Sequence, residues 1–222
     1  ASFLQRVHID YWHGGCEAVD GTRYRLGIKD EATGFVWAHL ATTRQHTLEL
    51  FQQFCADVGQ PSEVQCDGEF ISNVLKRHCT EKGIKLTPIS PGCHQQAGQI
   101  ERFWRSLGNY VRTMLAAADM PSEYWSYAAM HAVHIHNFLP GKGTPGYRQP
   151  AAAAQGEDMA DPGKVFAWGC KAFAHLEHDQ QGPKLAPRAI PVVYLGKSQT
   201  HLRSHTVLCP RTGRVFPARS VV

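Results

Sequence analysis

No stretch of this 222-residue chain holds roughly 18 consecutive apolar residues, the length a helix needs to cross a bilayer, so a membrane-spanning helix is excluded. The mildest run, Ala151–Ala154, is far too short. No secretory signal opens the chain and no initiator Met begins it, so it is expected to derive from a longer precursor. Its seven cysteines are odd in number and include no Cys-x-x-Cys pair, which argues against a disulfide framework and fits a reducing compartment, cytosol or nucleus. From Gln181 to Val222 there is no acidic residue, yet Lys184, Arg188, Lys197, Arg203, Arg211, Arg214 and Arg219 are all there. The chain has 23 basic and 19 acidic residues, so removing those seven leaves 16 basic against 19 acidic in the first 180. An acidic-leaning body with a wholly basic tail points to a polyanion partner or to a solvated basic face, and charge alone does not choose between them.

The hydrophobic content of 43% is ordinary for a globular protein, and the length suits one large α/β domain with a small appendage. Val7–Asp10 reads as a strand. Tyr24–Ile28 and Phe35–Leu40 flank a polar turn ending in Gly34 and read as a β-hairpin. Over Gln45–Val58, the apolar residues Leu48, Phe51, Phe54, Cys55 and Val58 recur at helical spacing before Gly59 and Pro61. Glu63–Cys66 predicts a strand, Ile71–Lys82 a helix and Ile84–Pro88 another strand. Pro91–Gly98 reads as a loop. A helix follows with Ile100, Phe103, Leu107, Val111 and Met114 in one stripe, and Pro121 opens another through about Asn137. Short β-like runs come later at Val165–Trp168, Lys171–Leu176, Pro191–Leu195, Thr206–Leu208 and Arg214–Pro217. The expected architecture is α/β: a mixed five-stranded sheet flanked by helices over residues 1–140, a linker over 141–163, and a small basic β-rich appendage over 164–222.

Asp10 ends one predicted strand, Asp67 directly follows another, and Glu101 opens a helix after a loop. Carboxylates from three such places can converge at one edge of a mixed sheet and bind Mg²⁺, a hard ion that takes oxygen ligands. Two such ions about 4 Å apart can activate an attacking oxygen and stabilise a leaving one at phosphorus. Each acid also has a plainer explanation. Asp before Gly suits a turn, an acid in a first helical turn suits the macrodipole, and Glu101 four residues before Arg105 suits a surface ion pair. Only the ordered combination favours a site.

That combination resembles the integrase core of copia-type long-terminal-repeat retrotransposons, a relative of retroviral integrases. His8-Ile9-Asp10, Ile28-Lys29-Asp30 through Trp37, and Cys66-Asp67-Gly68-Glu69-Phe70 carry the first part of the likeness. Gly83-Ile84, Pro91, Gln95-Gln96, Gly98 and Glu101-Arg102 carry the second. Arg112 to Leu115, Pro121, Trp125, Ala128-Ala129, Asn137, Leu139-Pro140, Phe166, Gly169-Cys170, Lys184-Leu185 and Tyr194-Leu195-Gly196 extend it over nearly the whole chain. The resemblance implies a ribonuclease-H-like fold in which Asp10, Asp67 and Glu101 are both catalytic residues and ligands of Mg²⁺ or Mn²⁺. It implies trimming of the element's 3′ DNA ends, their transfer into target DNA, self-association, and a nuclear site of action. Two departures stand out. The segment after Asp67 is two residues shorter than the family pattern, and Ala97 replaces the usual Asn. They leave open a decayed copy that only binds nucleic acid. The zinc-binding His/Cys segment expected ahead of such cores is not in this sequence.

Candidate phosphate contacts are Lys82, Lys85, Arg102, Arg105 and Arg112 near the acids and Lys184, Arg188, Lys197 and Arg203 in the tail, each equally explicable as a solvated charge. Gln95, Gln96 and Gly98 would form a loop over the DNA end, or an ordinary connector. His131, His134 and His136 lack zinc-ligand spacing and read as ordinary core or surface histidines, while His201 and His205 are taken to add to the basic tail. Trp104 and Trp125 read as core or interface residues. A third reading, a ribonuclease-H-like nuclease, would need a fourth acid from Asp30, Glu69 or Asp119.

Overall fold

The computed structural model describes residues 2–89, 94–141, 144–156, 165–177 and 181–222, with the side chains of 69, 94–97, 99 and 145 also outside the description. Three strands come first: β1 (Arg6–Trp12), β2 (Tyr24–Asp30) and β3 (Val36–Ala41). Then α1 (Thr47–Asp57), β4 (Glu63–Asp67), α2 (Asn73–Glu81) and β5 (Lys85–Ile89) alternate. Three helices follow, α3 (His94–Ala117), α4 (Trp125–Phe138) and α5 (Pro150–Gln155), and then β6 (Lys171–His175), β7 (Ala189–Lys197), β8 (His205–Leu208) and β9 (Val215–Ala218). The first sheet has the order β3-β2-β1-β4-β5, with β1 antiparallel to β2 and parallel to β4; the second is β6-β7-β8-β9.

Local chemistry explains the first three strands. The β2–β3 hairpin closes around the buried Asp30 carboxylate, which accepts from the Leu4 and Thr33 amides at 2.9 and 2.8 Å and from Thr33 Oγ1 at 2.7 Å. Gly34 supplies the left-handed turn at φ 71°. Farther on, Ser72 caps α2 by accepting from the Leu75 amide.

Successive side chains of a strand point to opposite faces. Val7 and Ile9 of β1 and Val64 and Cys66 of β4 pack under α1 and α2 with Phe51, Phe54 and Leu75. His8, Asp10, Gln65 and Asp67 therefore face the other way, toward the layer of α3 and α4. Ile100, Phe103, Trp104, Leu107 and Val111 of α3 are buried there with Trp125 and Ala128 of α4.

The second sheet leans on that same layer. Trp168, Leu195 and Leu208 share its apolar cluster. The Trp168 indole donates to the Leu195 carbonyl at 3.1 Å, and the His131 and Tyr194 rings meet edge to face at 5.7 Å. Its own small core holds Ala172, Val192, Val207 and Val221.

Several sequence expectations are corrected. The helix carrying Glu101 begins at His94, inside the expected Pro91–Gly98 loop, whose first three residues lie outside the described residues. No proline lies between Pro91 and the end of that helix at Ala117, and Ala97 is a strong helix former. Gly98 is tolerated there because it is buried, with the Arg102 guanidinium 3.1 Å from where a Cβ would stand. The run Val165–Trp168 forms no strand; it is an irregular approach that buries Trp168. Ala151–Ala154 lies within a short helix started by Pro150, the favoured place for a proline.

Candidate active site at the carboxyl edge of the sheet

β1 and β4 run parallel with Ile9 opposite Cys66, so the next residues, Asp10 and Asp67, sit side by side where the pairing of these two strands stops. β1 does not end at Asp10, as the sequence suggests, but runs on through Tyr11 and Trp12, which stay paired with β2. Such strands lie about 4.8 Å apart. Asp67 still belongs to β4, paired with Ile89 of β5, and passes directly into a 3₁₀ turn over Gly68–Phe70. The short segment after Asp67 is thus absorbed in that turn, and the acid keeps its place at the strand end.

Asp10 is partly buried. Its Oδ1 accepts from the Tyr11 amide at 2.7 Å. Burial, first, and then the charges of Asp67 and Glu101 push its pKa up to about 6, against the lowering effects of the Tyr11 amide and the Trp104 side chain. The other two acids that the sequence picks out, Asp67 and Glu101, therefore both bear on Asp10. Among the described residues, no three His, Cys, Asp or Glu side chains form a ready-made metal cage, so the acids are neighbours without being a closed cluster.

Glu101 reaches this edge because of Trp104, one turn further along α3. Trp104 is 6% exposed and lies over β2 at Gly27, the residue paired with Asp10. A Cβ on Gly27 would stand 2.1 Å from the Trp104 ring. Trp12 stacks on Trp104 at 6.4 Å and meets Trp125 edge to face at 5.3 Å. Glu101 itself is exposed and lies two turns into the helix, so the first-turn macrodipole explanation does not hold. Gly27, and the way Trp104 fits it, were missed in the sequence, which marks a glycine in a strand only as a place of close approach.

The basic candidates divide. Arg102, Arg105 and Arg112 are exposed on α3, the helix of Glu101. Lys82 and Lys85 are not brought to the acids. They lie at the other end of β4 and β5, where Lys85 Nζ is 3.6 Å from Glu63, which also binds Arg6 at 3.1 Å. The side chains of Gln95 and Gln96 lie outside the described residues. In the tail Lys184, Arg188 and Arg203 are exposed and Lys197 is half-buried. His205 does not add to the basic surface; it is buried between Phe166 and Tyr194. His131 is buried, with its pKa pushed down to about 4 by burial and then by His134. His136 sits 3.2 Å from the Gly34 carbonyl.

A second buried charge was also missed. Arg25 of β2 is fully buried, donates to the Ser126 carbonyl, and holds its guanidinium 5.9 Å from the Trp125 ring. Burial lowers its pKa to about 9 and Asp20 opposes that shift. It ties the strand carrying Gly27 to α4.

Comparison with known proteins adds a lineage to this geometry. The chain is 27% identical, over 93% of its length, to the retrovirus-related Pol polyprotein from transposon TNT 1-94 of Nicotiana tabacum. It is 25% and 26% identical, over 98% of its length, to those from transposons RE2 and RE1 of Arabidopsis thaliana. This chain is homologous to the retrovirus-related Pol polyproteins of transposons. It spans only 16%, 15% and 15% of the length of those three relatives. Residues 170–222, which hold β6 to β9, match the retroviral polymerase SH3-like domain.

The fold of this Pol relative is that of retroviral integrase cores. It superposes on the catalytic core domain of the HTLV-2 integrase in complex with magnesium with a TM-score of 0.54 and 18% identity, covering 69% of this chain and 98% of that one. It also matches a chain of the simian T-cell lymphotropic virus intasome, in complex with the regulatory subunit B56 gamma of PP2A, with a TM-score of 0.57 and 16% identity. That match covers 99% of this chain and 78% of the other.

Proposed function

We propose that this chain is the catalytic segment of a retrotransposon integrase, a metal-dependent polynucleotidyl transferase that trims the 3′ ends of element DNA and joins them to target DNA. One observation carries the reading: Asp10 and Asp67 stand side by side on adjacent parallel strands, and the charge of Glu101 on α3 bears on Asp10. Self-association and action in the nucleus belong to the same proposal.

The donor set suits a hard divalent ion, because all three groups are carboxylates. Asp10 is partly buried and is pushed up to about 6 first by burial and then by two acidic neighbours, whose negative charge a cation would relieve. Asp10, Asp67 and Glu101 would hold Mg²⁺ or Mn²⁺, which when bound activates the attacking oxygen and stabilises the leaving one. The chain's own work is positioning. The sheet fixes Asp10 and Asp67 relative to each other, and Trp104 seats α3 on β2 so that Glu101 stays on the Asp10 side of the sheet. Arg102, Arg105 and Arg112 stand on the same helix to neutralise phosphates, with the basic tail, Lys184, Arg188, Lys197 and Arg203, as a further contact surface. The like fold of an integrase core described with magnesium supports this reading.

A ribonuclease-H-like nuclease is less well supported. Asp30, a candidate fourth acid, spends its carboxylate on Leu4 and Thr33 inside the hairpin. Asp119 lies beyond the end of α3 in a left-handed turn at φ 50°.

The test is a labelled long-terminal-repeat DNA end with Mn²⁺ or Mg²⁺, using this chain and a longer Pol segment that contains it. Nicking and joining that fall by roughly 100-fold or more in Asp67→Asn and Glu101→Gln, with DNA binding retained, are expected. Salt-sensitive binding without nicking or joining in either protein would replace the enzyme by a DNA-binding relic.

A further inference from the structure

Behind Asp10 and Asp67 lies an aromatic wall that the strand-transfer chemistry does not use. Tyr11 follows Asp10 on β1, and Phe70 stands three residues past Asp67. Their rings stack at 5.1 Å with an interplanar angle of 15°. The Tyr11 hydroxyl is 2.9 Å from Thr47 Oγ1, which ties the wall to α1. The Arg44 guanidinium sits 5.9 Å from the Tyr11 ring centre and 5.3 Å from that of Tyr24. Tyr11, Phe70 and Arg44, with Gln45, Glu49 and Ser72, line an open pocket of about 400 Å³, within the range of ligand sites.

We propose that this pocket receives one unstacked nucleobase of the DNA strand next to the reacting phosphate, a base that carries an exocyclic amino group. The inference rests on the integrase reading. Asp10 faces the α3 side of the sheet, and Tyr11, one residue on, faces the other. A DNA strand draped over this edge meets the acids with its phosphate on one side and the aromatic wall with its base on the other. Stacking on aromatic faces accepts any base, and Arg44 adds a cation where a flanking phosphate would lie. The Glu49 carboxylate and the Gln45 amide are the groups that select, since a carboxylate accepts from the amino group of cytosine and an amide side chain pairs with adenine. Glu49 also disfavours a second phosphate in the pocket, so the occupant is a base and not a bare anion.

Fluorescence anisotropy with the full chain tests this. The probes are one labelled duplex bearing a three-nucleotide single-stranded overhang of cytosine, of thymine or of abasic sugar, made once with an element-end sequence and once with an unrelated sequence. Wild type is expected to bind the cytosine overhang roughly five- to ten-fold more tightly than the abasic one, with thymine between. In Glu49→Ala and Arg44→Gln, two exposed positions, that ratio should fall below about two-fold. Preference with the element-end sequence alone assigns the base to the element, and preference with both assigns it to either DNA. Equal binding of cytosine and abasic overhangs by wild type, or a ratio that survives both substitutions, overturns the pocket alone. No binding of any duplex overturns the integrase reading with it.

Discussion

Trp104 fills the space in which Gly27 lacks a side chain, and Gly27 is the residue paired with Asp10. The helix that supplies Glu101 is therefore seated by a contact made at the first acid's own neighbour. Gly27→Ala is expected to drive the indole out of its notch, costing about 1–3 kcal/mol by overpacking. It should also lower nicking far more than DNA binding, since a misplacement of about 1 Å in a catalytic group costs on the order of 100-fold. Chemical denaturation beside nicking assays checks both, and unchanged nicking in a folded variant would separate Trp104 from the site.

The pH dependence of stability follows from Asp10. Its carboxyl is held near 6 in the folded chain against an ordinary value of 3.8, so folding favours its protonated form. The stability this contributes is full below about pH 4, is lost as the pH rises toward 6, and stays lost above that. The difference is up to about 3 kcal/mol. Asp10→Asn should gain stability over wild type at pH 7 and little or none at pH 4. Urea denaturation at both values measures it; an equal effect at both would mean that Asp10 is not the titrating group.

Divalent metal should remove that same penalty. Mn²⁺ is expected to raise the Tm of the wild-type chain at pH 7, because a ligand that binds only the folded state stabilises it. In Asp67→Asn the rise should be largely lost. A Tm insensitive to Mn²⁺ in the wild type would argue against a shared metal centre.

Arg102 and Arg105 project from α3 beside Glu101. Replacing either by Gln should weaken DNA binding across sequences and reduce the slope of log K against log salt by about one. Lys85→Gln, at the far end of the sheet and engaged with Glu63, should change neither. Binding isotherms over a salt series decide the matter.

The layer beneath α4 depends on the second sheet. Trp168 is 7% exposed in a cluster with Leu107, Val111 and Leu195. Trp168→Ala is expected to cost about 3–5 kcal/mol. Loss of residues 164–222 should leave α4 with an exposed apolar face and a chain that aggregates. A well-behaved truncated core with unchanged unfolding midpoint would contradict this.

Much of the site was legible because it is written in short-range patterns. Asp67 stands where apolar β-formers give way to turn residues, Asp10 lies in a run of β-formers, and the α3 stripe repeats at three and four. What was not legible depends on contacts between distant positions. Nothing near Gly27 indicates that Trp104 will need its space. Asp30 looks like any acid of a polar turn until the Leu4 amide reaches it. His205 sits in a basic sequence, yet strand alternation turns it inward against Tyr194. The start of α3 was misjudged because proline and glycine at its mouth outweighed the helix-forming residues behind them.

Trp168, Leu195 and Leu208 come from the segment that matches the SH3-like domain, yet they finish the apolar layer begun by α3 and α4. In descent, then, the two sheets are not interchangeable parts. A recombination that swapped the terminal sheet for that of a distant element would have to repair α4 as well, so drift in these helices and in that sheet should be correlated across relatives.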